Sequence, residues 1–318
     1  MDLFDPKATK LPSRSELPRI PGAPPGASWF WGKDDELGRL NLLTPDRTAA
    51  ASKLIDTGEV VSLNWPIHLP DPPMFGRAPF KHKIHPITEY GNDDIFEINS
   101  QSSSQWDGLR HVSTKHGGKR IYYNNTTQED IDTTARIGLQ AWSRRGIVGR
   151  GVLIDYFEFK NQSYDPHSRH AITANGILEC AAQQKIEFQY GDILILRTGF
   201  IHKYNQLGHE QRKRVAESSF ATEVGFAGVE QSEEMLDFLH NHYFSIVVAD
   251  SPGFECLPPT SDIFLHMHII PLWGMGIGEL FDLEALSQMC KKHGRWEFFF
   301  SSSPPNISGC YPNALAVF

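Results

Sequence analysis

The sequence predicts an α/β fold with a mixed central sheet, and two observations support this. Short runs rich in Ile, Val, Leu and Phe alternate along the chain with segments that start at helix-capping residues. The sequence also lacks an internal repeat and any compositional break that would mark a domain boundary. Because its 318 residues are 40% hydrophobic and 21% charged, we expect one globular domain over residues 1–318.

Composition narrows the classes of partner. The net charge of −8 argues against nucleic acid or an anionic membrane surface, since both select clustered Lys and Arg, so we expect a small-molecule ligand. No apolar run reaches about 18 residues and a secretory signal pattern is missing, which predicts a cytoplasmic protein outside the membrane. The cysteines are too widely spaced for a zinc motif or a disulfide framework, and we expect them to be reduced: Cys180, Cys256, Cys290 and Cys310.

The first element in chain order is an irregular arm over about residues 1–33. It is rich in Pro and Gly and carries Trp29 and Trp31, so we expect it to pack through aromatic burial and to depend on the rest of the chain for its structure.

A helix and a strand follow the arm. Thr44 and Pro45 supply a cap and a first-turn proline, and the alanine-rich stretch behind them extends the predicted helix to Gly58. Residues 59–64 form the predicted strand. From about residue 66 to 86 recurrent prolines and large apolar side chains predict a long ordered loop that can cover a pocket.

The remaining elements alternate. Runs of β-branched and large apolar residues predict strands over residues 95–100, 151–157, 192–197, 244–249 and 263–270. Capping residues followed by an acidic or periodic pattern predict helices that start near Thr127, Thr173, Ser232 and Asp282.

A first cluster of polar residues, QSSSQWDGLRH over residues 101–111, follows a predicted strand. In an extended segment Gln101, Gln105 and Asp107 share one face, and His111 can return to the same point if the chain turns at Gly108. The alternative is a polar strand end whose aspartate caps a turn.

A second cluster is FLHMHIIPLWGMGIGE. His266 and His268 lie two residues apart in a predicted strand and therefore on the same side, where metal binding would satisfy them, with Glu279 as a further ligand. Alternatively, one or both are hydrogen-bonded histidines of the core or surface that bind no metal. The glycines at Gly274 and Gly276 do not match a dinucleotide-binding loop, so we do not expect a nicotinamide cofactor.

A third group lies at two predicted strand ends. Arg197 and Thr198 follow one strand, and Asp250 and Glu255 follow the other. Ligands of α/β sheets gather beyond the carboxyl ends of strands, so these side chains are candidates for the pocket wall. An Arg197–Asp250 salt bridge or turn caps would explain them equally well.

These stretches, together with DELGRLNLLTP, GRGVLIDY, GDILILRTGF, GVEQSEEMLDFL and VADSPGFE, resemble the cyclase family that includes bacterial kynurenine formamidase and isatin hydrolase. The resemblance extends over almost the whole chain and is strongest to the fungal branch, which suggests a role in secondary metabolism. It implies a swivelling β/β/α fold, a homodimer or homotetramer, and metal-dependent hydrolysis of an amide, lactam or lactone carbonyl in a small ring-containing metabolite.

The family motif HxGTHxDxxxH is altered here. Gln101 and Gln105 take the two histidine places, whereas Asp107 and His111 match the motif. Of the family's second-ion ligands, the resemblance retains Asp107, Glu279 and either His266 or His268. It therefore implies one divalent metal, Zn or Mn, or none, because a glutamine oxygen is a weaker ligand for Zn than imidazole.

The resulting hypothesis assigns metal binding to Asp107, His266 and Glu279 and proton transfer to His111 with Asp107. Substrate contacts are assigned to Gln101, Gln105, Trp106, Arg197 and Trp273, and Trp29, Trp31 and Phe75 are further candidates for an apolar wall. Two alternatives remain. One is a metal-free cyclase, dehydratase or isomerase that uses His111 and Asp107, and the other is a ligand-binding protein without catalysis.

Overall fold

The central element is a mixed sheet of eight strands in a computed structural model that describes residues 4–8, 10–217, 224–306 and 313–318. The strand order is β1-β14-β13-β7-β9-β11-β12-β4, where β7, β9, β11 and β12 are parallel neighbours and the strands outside them pair antiparallel. The predicted α/β class with a mixed sheet is therefore confirmed.

The sheet strands are β1 (Val60–Ser62), β4 (Gln105–Asp107), β7 (Ile147–Ile154), β9 (Ile193–Leu196), β11 (Ile246–Ala249), β12 (Gly276–Glu279), β13 (Glu297–Ser302) and β14 (Ala314–Val317). Three small two-stranded pairs are β2 (Lys81–Thr88) with β3 (Gly91–Glu97), β5 (Thr114–His116) with β6 (Lys119–Ile121), and β8 (Ala171–Ile172) with β10 (Gly228–Val229).

The helices are α1 (Pro45–Ser52), α2 (Gln128–Thr133), α3 (Leu139–Arg145), α4 (Tyr156–Phe159), α5 (Ala174–Gln183), α6 (Phe200–Tyr204), α7 (His209–Ala216), α8 (Glu233–Asn241), α9 (His266–Ile269) and α10 (Glu284–His293). Among the residues with described structure, no helix combines the length and apolar character that a membrane span requires.

Most predicted helix starts are confirmed because the caps act locally. The hydroxyl of Thr173 accepts from the amide of Gly176 at 3.0 Å, and that of Ser232 accepts from Met235 at 3.2 Å. Thr44 and Thr127 likewise cap α1 and α2. The helix expected near Asp282 begins at Glu284, and the prediction that α1 extends to Gly58 is wrong, since α1 ends at Ser52.

The predicted buried strands agree with β9 and β11, whose side chains are all buried. The strand expected over residues 59–64 is β1, and the one over 151–157 overlaps β7, which ends at Ile154 before α4 begins. A strand over residues 263–270 is wrong, because the chain there forms the one-turn helix α9.

The predicted strand over residues 95–100 belongs to the β2–β3 hairpin rather than to the central sheet. The predicted loop over residues 66–86 is therefore shorter, since β2 starts at Lys81. Along this hairpin, a set of apolar side chains is more than half exposed: Ile84, Ile87, Tyr90, Ile95 and Phe96. Ile84 and Phe96 lie on the same face, as the pairs His82–Phe96 and Ile84–Asp94 show.

The amino-terminal arm packs as predicted through aromatic side chains. Trp29 is buried, and its indole nitrogen donates to the carbonyl of Pro271 at 2.8 Å. Cys180, Cys256 and Cys290 are free and buried, as expected, whereas Cys310 lies outside the described residues.

One arginine and three ring-bearing side chains form a buried cluster beside α8, and α8 contributes one of them, His240. The Arg39 guanidinium lies 4.8 Å from the Tyr243 ring centre and 5.4 Å from the Trp273 ring. The His240 ring packs edge-on against both rings at 5.1 Å. Burial, and then the charge of Arg39, lower the pKa of His240 to about 2, so this histidine is neutral in the folded protein.

Candidate functional site

The pairing of β4 with β12 brings three polar side chains to one face of the sheet edge. Glu279 is the register partner of Gln105, and Asp107 is the partner of Ile277. Since side chains alternate along a strand, Gln105, Asp107 and Glu279 share a face. All three are nearly completely buried. The two-residue period read from the sequence therefore describes β4 correctly.

Trp106 lies on the opposite face of β4 and does not reach the cavity described below. Its ring packs against Phe281 with ring centres 4.9 Å apart, and its indole nitrogen donates to Ser302 at 3.1 Å. Its register partner is Gly278, where an added Cβ would lie 2.7 Å from the indole. A glycine is thus required beneath Trp106, which is a core residue and not the substrate contact that was predicted.

His266 enters the site from α9 and is held by Glu255. The Nδ1 atom of His266 lies 2.6 Å from Glu255 Oε1, and the same carboxylate accepts from the amides of Leu265 at 3.0 Å and His266 at 3.1 Å. With Nδ1 directed at Glu255, the Nε2 atom faces Asp107 and Glu279. A histidine fixed by a carboxylate in this way is typical of metal ligands.

Asp107, His266 and Glu279 each place one potential ligand atom within 4.8 Å of the others. His266 Nε2 lies 3.2 Å from Glu279 Oε1 and 3.6 Å from Asp107 Oδ2. Asp107 Oδ2 is buried without a hydrogen-bond partner, since its neighbours are beyond hydrogen-bonding distance. Two carboxylates and one oriented imidazole thus fit a divalent cation. His268 is not part of the group, so the structure favours His266 of the two predicted alternatives.

The pKa values of His266 and Glu279 are shifted by the carboxylates around them. Burial alone would lower the pKa of His266, but its contacts with Asp107, Glu255 and Glu279 hold that pKa well above the ordinary value. Burial raises the pKa of Glu279, and the charge of Asp107 raises it further. A positive charge near these carboxylates is therefore favoured. It is either a proton on His266 or a metal ion.

Gln105 and Gln101 do not act as the motif histidines would. The Gln105 amide nitrogen donates to Glu279 Oε2 at 2.6 Å and to Gln101 Oε1 at 2.8 Å, and it lies 3.5 Å from Asp107 Oδ1. The amide therefore turns its donor, and not its oxygen, toward the two carboxylates. Neither glutamine lines the cavity, so their predicted substrate contact becomes a role in orienting Glu279.

His111 lies next to Asp107 and is partly exposed to solvent. Its Nε2 atom is 3.5 Å from Asp107 Oδ2, and 29% of its side chain is exposed. The turn at Gly108 that was required for this approach is present, because the amide of His111 donates to the carbonyl of Gly108 at 2.9 Å. Asp107 thus links the proposed proton carrier to the candidate metal ligands.

Asp107, His111, Glu255, His266 and Glu279 line a cavity of about 690 Å³. Its other walls are mostly apolar. The lining residues are Phe75, Gly76, Arg77, Asp107, His111, Val112, Ala216, Glu217, Phe226, Pro252, Gly253, Glu255, Leu257, Phe264, His266, Met267 and Glu279. Of the aromatic residues proposed for an apolar wall, Phe75 lies here.

The structure does not bring Arg197 or Trp273 to the cavity. Arg197 is buried and pairs with Asp155 at 2.9 Å and Glu284 at 2.8 Å, which explains its position without a ligand. Trp273 packs in the cluster around Arg39. Both predicted substrate contacts are therefore corrected to structural roles, and Trp29 and Trp31 also lie outside the cavity wall.

Asp250 has a structural role as well. Its carboxylate accepts from the amide and hydroxyl of Thr198 at 2.6 and 2.8 Å and from the amide of Gly199 at 2.9 Å, so it joins the ends of β9 and β11. The alternative of an Arg197–Asp250 salt bridge is wrong, because Arg197 pairs with other carboxylates.

Two residues of the site have roles that the sequence does not predict. Glu255 is predicted only as a candidate for the pocket wall, which it lines, and its contact with His266 depends on how the chain between them folds. Arg77 was not singled out. Its position depends on the left-handed backbone at Phe75, which the sequence does not signal reliably.

Comparison with known proteins finds one matching protein family and several solved structures with a similar fold. A family model described as "Putative cyclase" matches residues 53–256, more than half of the chain. A crystal structure of a novel cyclase is 28% identical, with a TM-score of 0.81, and the match covers 92% of this chain and 99% of that one. No curated protein matches the sequence.

Isatin hydrolases share the fold at lower identity. Isatin hydrolase A from Ralstonia solanacearum is 15% identical, with a TM-score of 0.58 and coverage of 86% of this chain and 98% of that chain. Isatin hydrolase A from Labrenzia aggregata, bound to benzyl benzoate, is 14% identical, with a TM-score of 0.55 and coverage of 85% and 96%.

Proposed function

The chain belongs to the cyclase family, and on this premise we propose that it is a metal-dependent hydrolase of an amide, lactam or lactone carbonyl in a small ring-containing molecule. One observation carries the proposal: Asp107, His266 and Glu279 converge in the wall of a largely apolar cavity that is large enough for such a molecule.

The three converging residues would hold one divalent ion, with Zn or Mn best suited to one imidazole and two carboxylates. When bound, the ion supplies Lewis-acid activation of water and of the carbonyl group. Gln105 keeps Glu279 oriented by donating to Oε2, while the Oε1 atom faces His266. Glu255 fixes the His266 ring in the same way from its other side.

His111 is the proposed proton carrier. It takes a proton from water as the water oxygen adds to the carbonyl carbon, and it returns that proton to the leaving nitrogen or oxygen when the C–N or C–O bond breaks. Its partial exposure lets it exchange protons with solvent, and its Nε2 atom lies 3.5 Å from Asp107 Oδ2. The apolar walls, which include Phe75 and Phe226, would hold the ring of the substrate.

A second candidate is a metal-free cyclase, dehydratase or isomerase that uses His111 and Asp107. The observation that favours it is the orientation of Gln105, whose amide nitrogen rather than its oxygen faces the two carboxylates, so that this replacement removes a ligand. In that enzyme a protonated His266 would balance Asp107 and Glu279. Binding of candidate substrates without turnover would indicate a third possibility, a ligand-binding protein without catalysis.

The finer context also remains a proposal. Three free, buried cysteines suit a reducing compartment, which supports a cytoplasmic enzyme. The resemblance to the fungal branch supports a substrate from secondary metabolism.

The first test is the metal content of untagged protein by elemental mass spectrometry, before and after chelation. Asp107→Asn should lose the ion, since it removes a ligand charge at nearly constant shape, whereas Asp56→Asn, at an exposed aspartate, should retain it. About one equivalent of metal in the wild type is expected from the one group of three ligands found among residues 4–8, 10–217, 224–306 and 313–318. Protein that stays metal-free after reconstitution, yet is active with His111 required, would overturn the hydrolase proposal in favour of the metal-free enzyme.

A further inference from the structure

A strained turn at residues 74–77 presents one cation to the cavity. Phe75 and Gly76 have φ angles of 57° and 66°, and the amide of Arg77 donates to the carbonyl of Met74 at 3.2 Å. Met74 is buried, which anchors the turn. A bulky residue with a left-handed backbone is unfavourable and is typically retained where it serves a purpose. The consequence here is that Phe75 and Arg77 both line the cavity.

The Arg77 guanidinium is held in place and forms no salt bridge with the carboxylates that the structure describes. It lies 4.9 Å from the centre of the Phe75 ring, and it donates to the backbone carbonyl of Gln101. In the described part of the chain no Asp or Glu oxygen comes within 4 Å of it, and it is the only Lys or Arg among the cavity-lining residues named above. Arginine presents five N–H donors, so most of them are available to a ligand.

Three of the four acidic residues that line the cavity, Asp107, Glu255 and Glu279, belong to the candidate metal site, and the charges of Asp107 and Glu279 also act on Arg77. Glu255 accepts from His266 and from two backbone amides, and Asp107 and Glu279 would match the charge of a divalent ion. The apolar wall beside Arg77 is aromatic, since the Phe75 ring meets the Phe226 ring edge-on at 6.3 Å. A ring with an anionic group would therefore meet complementary partners on both counts.

We infer that Arg77 is an anion subsite that binds the carboxylate of an aromatic substrate or product, with the ring of that ligand against Phe75 and Phe226. This inference rests on the proposed function for its context, because hydrolysis of an amide, lactam or lactone yields a carboxylate. It specifies the ligand class: small aromatic carboxylates, or ring compounds that become carboxylates at this site.

Benzoate and benzamide are suitable probes, since they have nearly the same shape and differ in charge. Calorimetric titration of the full chain should show benzoate binding about tenfold more tightly than benzamide, as expected for a charge-assisted bidentate contact. Arg77→Gln should bring the two affinities to within about twofold, and Arg77→Lys should keep part of the preference because it keeps the charge. Arg120→Gln, at an exposed arginine, is the matched control and should behave as the wild type.

Chelated protein separates Arg77 from the metal as the source of any preference. The benzoate preference should persist after chelation if Arg77 binds the carboxylate, and its loss on chelation alone would assign the carboxylate to the ion and overturn the inference. Equal binding of the two probes, no binding of either, or a preference that survives Arg77→Gln would overturn it as well. Loss of metal in Arg77→Gln with the probe preference intact would show that Arg77 only balances Asp107 and Glu279. None of these readouts needs turnover, so failure of the hydrolase proposal is seen separately in metal content and activity.

Discussion

Replacing Glu255 with glutamine tests whether the protein holds His266 as a metal ligand. Glu255 Oε1 accepts from the amide of His266 at 3.1 Å and from its Nδ1 at 2.6 Å, and Oε2 accepts from the amide of Leu265 at 3.0 Å. Burial alone would raise the pKa of Glu255, but the contacts with His266 bring that pKa below its ordinary value, so the carboxylate is charged.

The expected magnitude follows from these three bonds. Glutamine has nearly the same shape but a single acceptor oxygen, so both bonds from His266 can survive only if Leu265 N–H faces the new amide nitrogen. One buried donor without a partner costs about 1–3 kcal/mol of folding free energy. Loss of the orienting charge should also reduce metal affinity about 10–100-fold, as for other partners of metal-bound histidine. This corresponds to about 1.4–2.7 kcal/mol of binding free energy.

Competition with a chromophoric chelator measures the metal affinity. Urea unfolding of the chelated protein separately measures the free energy of unfolding. Glu234→Gln makes the same chemical change at an exposed position in the first turn of α8 and serves as the control. If Glu255→Gln loses stability but binds metal within about twofold of the wild type, Glu255 supports only the fold, and the inferred function of the Glu255–His266 pair is refuted.

Three further outcomes are expected. His111→Ala should lower kcat for an identified substrate by about 10²–10⁴-fold with metal content unchanged, and unchanged kcat would exclude proton transfer by this residue. Because the pKa of His240 is about 2 in the folded state and near 6.5 when unfolded, the unfolded state binds more protons between these values and stability falls as the pH drops below about 6.5, by up to about 1.4 kcal/mol per pH unit. In urea unfolding His240→Phe should flatten this slope, whereas His209→Phe, at an exposed histidine, should not. A two-stranded hairpin is marginally stable on its own, and the apolar side chains of the β2–β3 hairpin are exposed. We therefore expect two or more copies of the chain to associate through β2 and β3. Ile84→Ser with Phe96→Ser should shift light-scattering mass from a dimer or tetramer to the monomer, and a monomeric wild type would contradict this expectation.

Local signals in the sequence predicted much of the fold. Caps such as Thr173 and Ser232 act within one turn, so their helices were found at the right positions. The strand over residues 263–270 failed because a short apolar run does not distinguish a buried strand from a short helix. β12 was not predicted, since its glycines weaken the strand signal, and the reason for Gly278 lies on another strand, in the ring of Trp106.

The candidate site was predictable where its residues share one strand. The two-residue period brought Gln105 and Asp107 together, as the structure shows. The position of Arg77 depends on a left-handed backbone at Phe75, for which sequence patterns give no reliable signal. The distance between Glu255 and His266 likewise depends on how the chain between them folds, so spacing alone could not reveal their contact.

The place of β4 in the sheet has a kinetic consequence. This three-residue strand forms one edge of the described sheet and pairs with β12, so it can detach while the parallel strands β9 and β11 stay closed. Detachment would carry Asp107 away from His266 and Glu279. Retention of a bound ion would then depend on this local opening as well as on global unfolding, and hydrogen exchange at the backbone amides of β4 would report the same opening.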